Sequence, residues 1–273
     1  MKFTAAARLP VHSAFMHVAA CSYRHGILPK FTKGYARQDF HGFGGKIAFT
    51  ALRSIQSEEL SPSASIEVEK KFQPPSIREL EELVKQHGGQ ELGKVAFTDL
   101  YYDDAEYSLV STDTWLRRRD DTWELKVPVG TEEEYRSGDE RAVFREVEGE
   151  ASVMEALTEY VAGLDSSRPL AEALQACNFT AFAEFHTIRQ KWSLSGCTID
   201  LDVADFGYSI MEIEAMCGSE DDVPGALENV ERVAELLNAQ PLTSGHGGKL
   251  VTYIRNFCPQ VLARLVQAGI LHG

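Results

Sequence analysis

The sequence predicts an α+β chain built on a closed antiparallel β-barrel with a charged lumen and helices against its apolar outer wall. Three observations predict it. Six segments alternate charged and apolar residues with a period of two, as strands do when successive side chains point to opposite faces. Their charged faces carry both signs, and their apolar faces need cover. Helical segments are interspersed among them and can supply that cover. For one strand alone, an open sheet with one wet face explains the alternation. Recurrence across all six favours closure, which removes sheet edges and places the charges inside.

Residues 1–64 stand apart. They hold eight Lys or Arg against three acidic residues, so the chain's net charge of −14 leaves −19 on residues 65–273. An acid-poor, basic N-terminus fits a mitochondrial or plastid transit peptide, a disordered extension or a misassigned start. It ends in the linker-like Ser61-Pro62-Ser63-Ala64-Ser65. The expected division is an extension over 1–64 and the barrel over 65–273. The expected location is the cytoplasm, or an organelle if the extension is a transit peptide.

The first strand, Ile66 to Phe72, puts Glu67, Glu69 and Lys71 on one face. A helix follows: Ser76 and Glu79 have capping-box spacing, Ile77, Leu80, Leu83 and Val84 form its apolar stripe, and Gly88-Gly89 ends it. Trp115, Arg117 and Arg119 share the next charged face. Glu124 and Lys126 follow, opposed by Trp123, Leu125 and Val127, then Phe144, Glu146 and Glu148. Helices are predicted over 152–163 and 169–176. Arg189 and Lys191, Asp200 and Asp202, and Glu212 and Glu214 mark three more strands. The chain closes with helices over 224–238 and 248–267, the second broken near Pro259.

Composition narrows the function. The net −14 argues against an extended nucleic-acid or anionic-membrane surface, since phosphate backbones are bound by Lys and Arg clusters. An anionic ligand must be caught in a locally positive pocket or through metal. The five cysteines are odd in number and contain no C-x-x-C pair, which fits reduced thiols. No run approaches the roughly 18 apolar residues of a membrane span. Nothing suggests a coiled coil, and a monomer is expected.

The charges themselves indicate the chemistry. Lys71, Arg117, Arg119, Lys126 and Arg189 bring cations from separate strands, and the planar guanidinium fork matches phosphate oxygens. Glu67, Glu69, Glu146, Asp200, Glu212 and Glu214 are hard oxygen ligands suited to Mg²⁺. Bare carboxylates would repel a polyphosphate, and a metal ion makes the two sets compatible. Two shorter signals are discounted. Asp205-Phe206-Gly207 lacks the other kinase motifs, and Gly245-His246-Gly247-Gly248-Lys249 lacks P-loop spacing and has Leu250 after the lysine.

Glu67-Val68-Glu69-Lys70-Lys71 resembles the E-x-E-x-K motif of the CYTH superfamily, the triphosphate tunnel metalloenzymes. The order of further segments makes the resemblance specific: Asp99 to Asp103, Trp115 to Arg119, Trp123 to Lys126, Asp200 to Asp202, Ala204 to Tyr208, Glu212 to Glu214 and Lys249-Leu250. Over roughly residues 65–265 the chain is similar to the animal-type thiamine triphosphatase branch. The resemblance implies an eight-stranded antiparallel tunnel and Mg²⁺-dependent hydrolysis of thiamine triphosphate. A general inorganic triphosphatase and a non-catalytic polyphosphate or nucleotide binder are the alternatives. By position, Lys71, Arg117, Arg119, Lys126, Arg189 and Lys249 would bind phosphate, and Trp115 would stack on the thiazolium cation. Asp200, Glu212 and Glu214 would hold metal, joined by Glu67 and Glu69. Lys126 and Glu146 are the expected catalytic pair. Phe144 and Ile188 depart from the family pattern, where a tyrosine and a basic residue are expected.

Overall fold

In the computed structural model, residues 65–129, 141–242 and 247–271 are described. The expected extension over 1–64 lies outside them.

Eight strands form one closed antiparallel barrel in the order β1-β5-β4-β3-β2-β6-β7-β8, with β8 pairing back to β1. They are β1 (Ser65–Phe72), β2 (Gln90–Asp103), β3 (Trp115–Arg119), β4 (Thr122–Pro128), β5 (Arg141–Glu148), β6 (Thr180–Leu194), β7 (Cys197–Ala204) and β8 (Tyr208–Cys217). Register brings the charged positions into rings. Lys126 lies opposite Glu146, Glu69 opposite Glu214, Lys71 and Asp200 each opposite Glu212, and Arg189 opposite Asp202. Residues of the other parity form the outer wall, where Val68, Leu125, Ile199 and Ile213 are fully buried.

Helices cover that wall. α1 (Ile77–Gln86) is capped by Ser76, whose hydroxyl accepts from the Glu79 N–H at 3.3 Å, so the predicted cap is present. It packs with α4 (Val223–Leu236) over Val68, Ile199 and Ile213. α2 (Glu150–Leu157) and α3 (Leu170–Ala176) bury Val153, Leu157 and Leu174 against Leu116, Trp123 and Leu125. The expected helix over 152–163 is shorter than its apolar spacing suggested. Leu157 and Val161 are both buried and joined by an N–H···O=C bond of 2.8 Å, but three i→i+3 bonds tighten the chain between them into turns.

One difference matters for the site. The sequence marked only short pieces of β2 and β6, which run 14 and 15 residues and pair along nearly their whole length. The C-terminal helix is broken at Pro259, as expected, into α5 (Lys249–Phe257) and α6 (Pro259–Gln267), because Cys258 precedes a proline and takes φ −123°, ψ 66°. α5 reaches the inward face of the barrel wall, where Tyr253 meets Phe185 at 5.1 Å between ring centroids. No helix among the described residues is long and apolar enough to cross a membrane.

Candidate active site

The barrel encloses a cavity of about 260 Å³. All the expected site residues except Asp200 line it: Lys71, Arg117, Arg119, Lys126, Arg189 and Lys249 among the cations, Glu67, Glu69, Glu146, Glu212 and Glu214 among the acids, and Trp115. Asp200 lies behind the surface, fully buried, within reach of Arg189 and Lys191. Phe144 lines the cavity as well. Ile188, by contrast, points outward and is 39% exposed, so a basic residue there would not reach the lumen.

The charges settle into two clusters. In the first, Lys126 bridges Glu67 and Glu146, the latter at 2.7 Å, and Arg117 pairs with Glu124 across the β3–β4 ladder. In the second, Arg189 donates to both Asp202 oxygens at 2.7 Å and to Glu212 at 2.9 Å, and it also contacts Asp200. Lys249, delivered by the start of α5, pairs with Asp202, and Lys71 with Glu69. Isolated charges at this depth would be prohibitively costly, so each cation is held by carboxylates.

Burial works against every one of these charges, and the neighbours decide the outcome. For Lys126, Glu67 and Glu146 outweigh burial and hold the ammonium well above its ordinary range. Burial lowers Lys249 despite its partner Asp202. Asp202 is depressed, because Lys249 and Arg189 overcome the burial that would raise it. Glu214 goes the other way: burial, then the like charges of Glu67 and Asp200, push it up to about 9.

The carboxylates were expected to hold a metal. No group of three His, Cys, Asp or Glu among the described residues stands ready-made for one. The acids are turned towards the lysines and arginines instead. Two observations nevertheless fit a divalent cation. Asp200 Oδ1 is buried without a hydrogen-bond partner among the described residues, and burial, then the like charges of Glu67 and Asp200, work against ionising Glu214 in the absence of a cation. Carboxylate oxygens are donors that suit a hard divalent cation.

Several site residues were not singled out by the sequence. Asp99, fully buried, receives Arg119 at 2.8 and 3.1 Å. Phe97 lies under three cations: Arg119 at 3.9 Å, Arg189 at 5.4 Å and Lys249 at 5.6 Å from its centroid. Tyr101 and Lys191 also line the cavity. The signal was present for β2, where Phe97, Asp99, Tyr101 and Asp103 alternate on one face. Aromatic residues separate its charged positions, so it lacks the run of charges that marks the other inward faces.

The CYTH domain family profile matches residues 65–244. Proteins named thiamine-triphosphatase from Macaca fascicularis and Homo sapiens are each 35% identical to this chain over 222 residues, spanning 75% of it and 90% of their own length. Among solved structures, the PH1819 protein of Pyrococcus horikoshii OT3 is 22% identical, covers 70% of this chain and 99% of its own, and superposes with a TM-score of 0.48.

Proposed function

The chain belongs to the CYTH domain family, and on that premise we propose that it hydrolyses thiamine triphosphate to thiamine diphosphate and phosphate, using Mg²⁺. The observation that carries the reading is the lumen itself. Seven cations from β1, β3, β4, β6 and α5 face one cavity and are interleaved with carboxylates.

The triphosphate lies along the cations and displaces carboxylates from them. Arg117, Arg119 and Arg189 supply planar forks for non-bridging oxygens, while Lys71, Lys126 and Lys249 supply point charges. Glu67, Glu69, Asp200 and Glu212, released by this exchange, would hold the metal together with Glu214. When bound, Mg²⁺ neutralises charge that builds on the phosphoryl oxygens.

Lys126 acts as an ammonium and not as a base, because Glu67 and Glu146 hold its proton firmly. It stabilises the transferring phosphoryl group. Burial would raise the Glu146 carboxyl, but Lys126 holds it below the usual range. Glu146 is therefore ionised at 2.7 Å from Lys126 and orients the attacking water. Trp115, on the same strand face as Arg117 and Arg119, stacks on the thiazolium, a contact worth about 0.5 to 2 kcal/mol.

The test is phosphate release by the purified full chain from thiamine triphosphate and from tripolyphosphate, each with Mg²⁺ and with EDTA. A Mg²⁺-dependent preference for thiamine triphosphate is expected. Equal rates would leave an inorganic triphosphatase, and release in EDTA would remove the metal from the reading.

A further inference from the structure

Trp115 lines the cavity, and the edge of its ring is tied down. Its indole N–H donates to Asp113 Oδ1 at 2.9 Å, with Trp115 6% and Asp113 8% exposed. Asp113 sits at the end of the 3₁₀ turn Val110–Thr112 in the left-handed region, φ 57°, and its own N–H closes that turn on the Val110 carbonyl. The turn is anchored in turn. Asp103 at the end of β2 accepts from the N–H groups of Asp104, Leu109 and Val110 at 2.8, 3.2 and 2.8 Å. A buried carboxylate is thereby delivered to the indole by a fixed loop.

We infer that Asp113 is a specificity-determining residue of this site, which orients the Trp115 ring and, through its negative charge, strengthens the pull of that ring on a cationic ligand. The inference rests on the proposed thiamine triphosphatase reading. The physical reason is polarisation. A carboxylate accepting the indole N–H pushes electron density towards the ring, making its face more negative, in surroundings where little water screens the effect. A neutral acceptor would satisfy the same N–H without adding this field. The inference therefore separates two functions of one bond, holding the ring and charging it.

The two are separable by substitution. Asp113→Asn keeps an acceptor for the indole and tolerates the left-handed backbone, but removes the charge. Asp113→Gly keeps the backbone and removes the bond. Trp115→Leu removes the aromatic face and tests the stack itself. Each is measured in the full chain for kcat and KM with thiamine triphosphate, with tripolyphosphate, and with an isosteric triphosphate whose thiazolium is replaced by a neutral thiophene ring. Stacking acts alike on bound substrate and transition state, so the effect belongs in KM.

Asp113→Asn is expected to raise KM for the cationic substrate about threefold, relative to the neutral isostere, and Asp113→Gly about tenfold. A merely structural role would shift the cationic and neutral substrates together. If Trp115→Leu weakens thiamine triphosphate selectively and Asp113→Asn does not, the inference is overturned while the substrate reading stands. If Trp115→Leu changes nothing selectively, the stacking reading fails and the inference with it.

Discussion

The Arg119 guanidinium is held between a carboxylate and a ring: it donates to both oxygens of the fully buried Asp99, at 2.8 and 3.1 Å, and lies 3.9 Å from the Phe97 centroid. Asp99 and Arg119 are directly opposite in the β2–β3 ladder, so strand register makes the pair. Asp99→Asn should remove a charge from beneath a cation proposed to face phosphate. The expected result is a loss of about 3 kcal/mol or more in stability, with lower kcat/KM for every triphosphate alike. Denaturant melts and kinetics on two substrates check it. A loss confined to thiamine triphosphate would show that Asp99 does not act through Arg119.

Gly248 precedes α5 and packs on Lys71. A Cβ added there would meet Lys71 Cε at 2.7 Å, while its φ of −58° suits any residue. Gly248→Ala should therefore act by moving the Lys71 side chain, without backbone strain. A rise in KM for tripolyphosphate of about tenfold, with a thermal midpoint within a few degrees of wild type, is expected. Unchanged KM would mean that Lys71 can bend away and still bind.

Glu214 carries a structural cost that a metal would relieve. Its carboxyl is pushed up to about 9 by burial and by Glu67 and Asp200, so near neutral pH it is protonated in the folded chain and ionised in the unfolded one. A raised carboxyl favours folding least above the unfolded value, and the penalty grows as pH rises from near 4.5 towards 9. Glu214→Gln should raise metal-free stability at pH 7 by about 1 to 3 kcal/mol while weakening Mg²⁺ affinity. Melting curves and calorimetric Mg²⁺ titration report the two effects separately. A variant that is less stable without metal contradicts the like-charge account.

Asp103 gives a second pH signature. Burial raises its carboxyl to about 6 from 3.8, against three N–H donors that favour the ionised form. Ionisation therefore costs folding stability across about pH 4 to 6 and is complete above that. The advantage of wild type over Asp103→Asn should shrink by about 2 to 3 kcal/mol between pH 4 and pH 7. Denaturant unfolding at several pH values checks this, and a pH-independent difference would falsify it.

The sequence alone determined which residues share a face. The period of two in Glu67, Glu69 and Lys71, in Arg117 and Arg119, and in Glu212 and Glu214 is a local property of strands, and all of these residues line the cavity. Helix ends were legible for the same reason: Ser76 caps α1, and Pro259 divides α5 from α6. Only the tertiary structure decided which charge meets which. The pairing of Lys249 with Asp202, 47 positions apart, and of Lys126 with Glu67, 59 apart, depends on strand order and register, which no local spacing encodes. It also recovered Asp99 and Phe97, whose inward face separates its charged positions with aromatic residues and so lacks the run of charges that marks the others. The tertiary structure likewise showed the acids turned onto lysines and arginines instead of gathered for metal, since buried charges take the nearest opposite partner.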